Sequence, residues 1–183
     1  MALCIILDIF TEFLFCVIAV IIHELGHLSA MIYYGYMPDK ITISPFEIKI
    51  VNYSRQIKST RENFFIVFFG PFVNFICFIL FYLLYLINSN FFVPFAAANL
   101  CTCLFNMLPA MSLDGGQLLY ILLCKRFSEK TAERVVFFTA VLVLVPLTAV
   151  GFIVLLNSKY NFSLLFVCVY IALSLVCRNN RYY

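Results

Sequence analysis

Charge is what this sequence has least of. Lys, Arg, Asp and Glu make up 11% of its 183 residues, hydrophobic residues make up 64%, and the mean hydropathy is +1.03. Soluble globular domains carry about a quarter charged residues. The shortage excludes an ordinary soluble domain. It implies a polytopic membrane protein with no room for a second, soluble domain. A nucleic-acid-binding surface is also missing, because the basic residues sit in short loops and form no aromatic-studded stripe. Nor is there a disulfide framework. Cys4, Cys16, Cys77, Cys101, Cys103, Cys124, Cys168 and Cys177 lie mostly inside apolar runs, where a free thiol behaves as a small hydrophobe. Cys101 and Cys103 are two apart, so on a helix they point to different faces and make a poor metal pair. The amino terminus lacks a basic n-region and carries Asp8 and Glu12, so its apolar run is expected to be retained rather than cleaved.

Histidine is scarcer still. The only two are His23 and His27, and both belong to His23-Glu24-Leu25-Gly26-His27, inside a long apolar stretch. Four residues is about one helical turn, so the two imidazoles project from one face. Glu24 lies beside the first. This is the H-E-x-x-H arrangement, in which two histidines hold zinc and the glutamate handles the proton of the attacking water. In lipid each polar residue is disfavoured, which makes the pattern far more specific there than in a soluble helix.

Five spans are expected, over about 9–34, 64–87, 91–124 with an interruption, 135–156 and 162–177. A bilayer requires roughly 17–25 apolar residues, and the fifth span is at the short end. The catalytic core is expected within about 9–124, with accessory helices over about 135–177, in a single membrane-embedded domain 1–183. Lys40, Lys49, Arg55, Lys58 and Arg61 fall in the loop 35–63, and Lys125, Arg126, Lys130 and Arg134 in the loop 125–134. Arg178 and Arg181 fall in the tail, which leaves Lys159 alone on the other side. An odd span count with the amino terminus outside puts eleven of the twelve basic residues in the cytoplasm, as the positive-inside rule requires.

The fold class read from this pattern is an all-α polytopic membrane protein of about five transmembrane helices, with a short cytoplasmic β-hairpin after the first. Gly35 suits a helix C-cap, and Pro38-Asp39 opens a turn. Ile41 and Ile43, then Phe46, Ile48 and Ile50, alternate with polar residues around Ser44-Pro45, the period-two signature of two strands. Such a hairpin either pairs its edge with an extended peptide or packs on the bundle as an interfacial element. The third span is expected to be interrupted. The run from Asn106 to Gly116 sets Pro109, Asp114, Gly115 and Gly116 at membrane depth, where irregular backbone survives only against protein or a water-filled cavity.

A catalytic zinc site needs a third protein ligand and one open position. With no third histidine, the carboxylates are the candidates. Asp39, Glu47, Glu62, Glu129 and Glu133 sit in or beside the cytoplasmic loops, Asp8 and Glu12 lie toward the outer end of the first span, and Asp114 alone is flanked by an apolar run within a span. Glu24 is ten residues before Tyr34 and Asp114 ten before Cys124, so each sits about 15 Å in from the cytoplasmic end of its segment. The rival role for Asp114 is a helix N-cap before Gly115-Gly116. Asn74, in Gly70-Pro71-Phe72-Val73-Asn74, and Asn106 each need a hydrogen-bond partner in lipid. Either could donate to a developing oxyanion, or bond helix to helix.

Three motifs, His23 to His27, Gly70 to Asn74, and Asn106 to Gly116, resemble in order and spacing those of the site-2 protease family of intramembrane zinc metalloproteases. The resemblance covers about 9–124 and is closest in style to the compact bacterial branch, which includes the sporulation protease that matures a pro-sigma factor. It implies peptide-bond cleavage within or beside a transmembrane segment in a bacterial cell membrane. It further implies one zinc ion held by His23, His27 and Asp114, Glu24 as base, a membrane-protein or membrane-associated peptide as substrate, and a place for a regulatory membrane partner. Asn106 matches the asparagine eight residues before the ligand aspartate. The second proline that relatives often carry two residues before that aspartate is Ser112 here, and there is no room for the PDZ or CBS domains that many carry. Rival readings are a divalent-metal transporter, a catalytically silent scaffold that binds transmembrane partners, and another intramembrane zinc protease class with a glutamate ligand.

Overall fold

A computed structural model describes residues 2–36, 40–44, 47–51, 59–88, 91–158 and 163–176. The chain forms two compact units, Met1–Asn106 and Met107–Tyr183. The first holds α1 (Ala2–Tyr33), β1 (Lys40–Ser44), β2 (Glu47–Val51), α2 (Thr60–Asn88) and α3 (Phe92–Asn106). The second holds α4 (Asp114–Leu123), α5 (Glu129–Ser158) and α6 (Ser163–Val176). Among the described residues, three stretches are long and apolar enough to cross a membrane: Phe10–Tyr33, Thr60–Ile87 and Glu129–Leu156. Phe92–Asn106 is a shorter apolar helix. Outward-facing Phe13, Leu25, Phe75, Leu83 and Leu142 are exposed, as residues facing lipid are.

In the first unit, α1 ends on Gly35, whose φ of +77° is the left-handed conformation that glycine adopts without strain. Tyr36 N donates to Met31 O at 2.8 Å and Gly35 N to Ile32 O at 3.0 Å, which together make a Schellman cap. The cap turns Tyr36 back into an apolar cluster with Ala30, Met31 and Ile66. The start of α2 has the matching device. Ser59 N donates to the Glu62 carboxylate at 3.1 Å, one half of a capping box. The Tyr36 hydroxyl donates to the same carboxylate at 2.5 Å, so the end of α1 is tied to the first turn of α2. Between these tied ends β1 pairs antiparallel with β2, Ser44 opposite Glu47 and Lys40 opposite Val51. At the other end of the unit Phe15 of α1, Phe81 of α2 and Phe95 of α3 meet, with ring centroids 5.3 and 4.4 Å apart.

In the second unit, the backbone leaves helical geometry over 107–113 and re-enters it at Asp114. Ala110 N donates to Leu108 O and Leu113 N to Ala110 O, both at 2.8 Å, so the break is a folded loop that satisfies part of its backbone internally. Gly115 and Gly116 make that loop possible. A Cβ on Gly115 would overlap the Met107 carbonyl, and one on Gly116 the Ala110 carbonyl. The apolar side of α5, with Ala132, Val136 and Ala140 buried, supplies the core of this unit. The Pro38-Asp39 turn, Pro45 and Phe46, and Arg55, Lys58, Lys159, Arg178 and Arg181 lie outside the described residues.

Candidate metal centre

The histidine pair is built by α1 and α2 together. On α1, His23 is 4% exposed and His27 is half-buried. His27 Nδ1 lies 2.9 Å from the carbonyl oxygen of Ile66 on α2. A carbonyl only accepts, so Nδ1 carries the proton and Nε2 is the ring's lone-pair nitrogen. Nε2 faces His23 Nε2 at 3.1 Å. Two tetrahedral zinc–nitrogen bonds of roughly 2.0–2.1 Å would set their nitrogens about 3.3 Å apart. The spacing therefore fits two ligands of one ion, and the carbonyl behind His27 is the kind of partner that orients a ligating imidazole. The chemistry of this donor set suits zinc and other divalent metals that accept nitrogen.

Two glycines make the approach possible. A Cβ on Gly26 would lie 2.8 Å from the Phe69 carbonyl oxygen, so α1 and α2 touch backbone to backbone there. A Cβ on Gly70 would overlap the His27 imidazole itself. Pro71 follows, fully buried inside α2, and its missing N–H removes the helical donor to the Val67 carbonyl. The Ile66 carbonyl that holds His27 thus belongs to the turn that Pro71 loosens.

The other candidates are placed as follows. Glu24 is half-buried, next to His23 on α1. Asn106 is half-buried at the last residue of α3, and one of its two amide hydrogens goes to the Thr102 carbonyl at 3.1 Å. The Asn74 amide donates to the Ala19 carbonyl at 3.0 Å and to Asn99 Oδ1 at 3.3 Å, so both its hydrogens serve contacts between helices. In the second unit Asp114 is the first residue of α4 and only 9% exposed. A carboxylate there is favoured by the positive end of the helix dipole. The N-cap position itself belongs to Leu113, which offers no side-chain cap. Asn99, Tyr36 and Glu62 were not expected as parts of this architecture. The Ser59-x-x-Glu62 spacing is a capping-box signal that marks the start of α2 in the sequence.

No protein-family model matches the chain. Over 118 residues, 63% of its length, it is 26% identical to stage IV sporulation protein FB of Bacillus subtilis (strain 168). The matched stretch spans 41% of that curated relative. Among solved structures, a site-2 protease from Methanocaldococcus jannaschii matches with a TM-score of 0.61 at 22% identity, over 93% of this chain and 78% of that one. In the order of its motifs and in its fold, the chain resembles the site-2 protease family.

Proposed function

We propose that this chain is an intramembrane zinc metalloprotease that hydrolyses a peptide bond within or next to a substrate's transmembrane segment. The observation that carries the reading is the His23–His27 pair, with two Nε2 atoms 3.1 Å apart and one ring oriented by a backbone carbonyl. Asp114 supplies the third ligand. Its burial at the head of a helix and its place in the family's motif order support the assignment. A zinc ion held by His23, His27 and Asp114 would activate water and polarise the scissile carbonyl.

The chain's own residues do the rest. Glu24 takes the proton of the attacking water and returns it to the leaving amine. Asn106 donates its second amide hydrogen to the developing oxyanion. A helical substrate hides its carbonyls in backbone hydrogen bonds, so it must unwind before it can react. The open edge of the β1–β2 hairpin would hold the unwound segment extended. The protein lies in the cell membrane with its amino terminus outside and the hairpin and carboxyl terminus in the cytoplasm. Residues 1–183 act as a single metalloprotease domain with its catalytic core over about 9–124, in regulated intramembrane proteolysis.

The test is co-expression of the native chain and Glu24→Gln with candidate single-pass membrane proteins from the same genome neighbourhood. The expected result is cleavage by the native chain only, with equal metal content in both. Full cleavage by Glu24→Gln would refute the assignment of the base.

A further inference from the structure

Among the described residues of the first unit, two asparagines are fully buried, Asn74 on α2 and Asn99 on α3, each 0% exposed. They form one network across three helices. Asn74 Nδ2 donates to Asn99 Oδ1 and to the Ala19 carbonyl of α1, and Asn99 Nδ2 donates to the Phe95 carbonyl at 2.9 Å. The reverse orientation of the Asn74 amide would set its oxygen against two acceptors, so the bonding fixes which way it points.

The position of the Ala19 carbonyl gives the network its meaning. In an α-helix it is the acceptor for the backbone N–H of residue 23. Asn74 therefore bonds to the peptide group on which the His23 backbone hangs. On the other side of His23, Gly26 rests against Phe69 and Gly70. Ala19 and Gly26 are seven residues apart, about 10 Å along α1, and His23 lies between them. Sliding or rotating α1 at His23 must break one of these two fixed points. Apolar packing alone gives little resistance to such motion in lipid, because tails and side chains are equally apolar.

We propose that Asn74 and Asn99 are positioning residues, a three-helix amide lock that sets the height and rotation of the α1 turn bearing His23, and through it the spacing of the two imidazoles. The proposal rests on the metal-binding reading above. It takes Asn74 out of contact with substrate.

The test uses the full chain in detergent, loaded with Co(II). Asn74→Leu, Asn99→Leu and Asn99→Asp are compared with the native chain by visible ligand-field spectrum, by metal affinity in chelator competition, and by thermal unfolding of the metal-free protein. Both leucine variants are expected to bind Co(II) at least about tenfold more weakly, the scale on which groups behind a metal ligand act, and to shift the spectrum. Asn99→Asp keeps the oxygen that accepts from Asn74, so it is expected to restore affinity and spectrum toward native. It also carries the test, paired with Asn99→Leu, if Asn74→Leu does not fold. A lowered unfolding midpoint with native affinity and spectrum would mean packing alone and would overturn the lock. Native metal binding with lost peptide cleavage in Asn74→Leu would place that amide on the substrate and overturn it too. If the native chain binds no Co(II), the metal reading falls and the lock falls with it; if the native chain binds and the leucine variants match it, the lock alone is wrong.

Discussion

At Gly70 the missing side chain is what gives the His27 ring its place. A single methyl there would occupy the imidazole's position. Overpacking a tight contact costs about 1–3 kcal/mol, and here the group displaced is a candidate metal ligand. Gly70→Ala is therefore expected to lower metal affinity by at least about tenfold while the chain still inserts and folds, as read by chelator competition in detergent. A native affinity in Gly70→Ala would show that His27 can turn away from Gly70 at no loss. At this scale part of the site was legible in advance. His23, Glu24 and His27 are neighbours on one helix, and a spacing of four needs no knowledge of tertiary structure. The dependence of His27 on Gly70 and on the Ile66 carbonyl was not legible, because those contacts come from a second helix and glycine leaves no side-chain signal.

Elements are joined here by their ends. Tyr36, set by the Schellman cap of α1, donates to Glu62, which also caps the first turn of α2. The hydrogen bond to Glu62, followed by burial, raises the Tyr36 hydroxyl above its ordinary value near 10. The folded state then holds the proton more tightly than the unfolded state. The stabilisation is fully present below pH 10 and is lost as pH rises through the raised value. Thermal unfolding of the native chain and Tyr36→Phe is expected to differ at pH 8, with the native chain the more stable, and the difference is expected to shrink above pH 10. A gap that stays constant from pH 8 to pH 11 would contradict this linkage.

The break after α3 shows which element features a sequence discloses. Pro109, Asp114 and two adjacent glycines in an apolar run have no place in an unbroken span, and the helix does stop at Asn106 and resume at Asp114. Strand alternation located the hairpin for the same local reason. The Tyr36–Glu62 tie joins residues on opposite sides of that hairpin, and periodicity carries no information about it.

On the scale of the whole molecule, the proposed ligands come from both compact units, the histidines from Met1–Asn106 and the aspartate from Met107–Tyr183. Matched depth along two spans suggested that set from sequence alone, but the packing that would unite it depends on long-range contacts that hydropathy does not encode. A chain with 11% charged residues keeps buried polar groups where they are bonded or bind something. The membrane fold and the proposed metal centre are then two consequences of one pattern. Extended X-ray absorption at the zinc edge of the purified, zinc-loaded full chain tests this most directly. The account predicts two imidazole nitrogens and oxygen donors at about 2.0–2.2 Å, with one imidazole shell lost in His27→Ala. A sulfur shell at about 2.3 Å, or a spectrum that His27→Ala leaves unchanged, would contradict it.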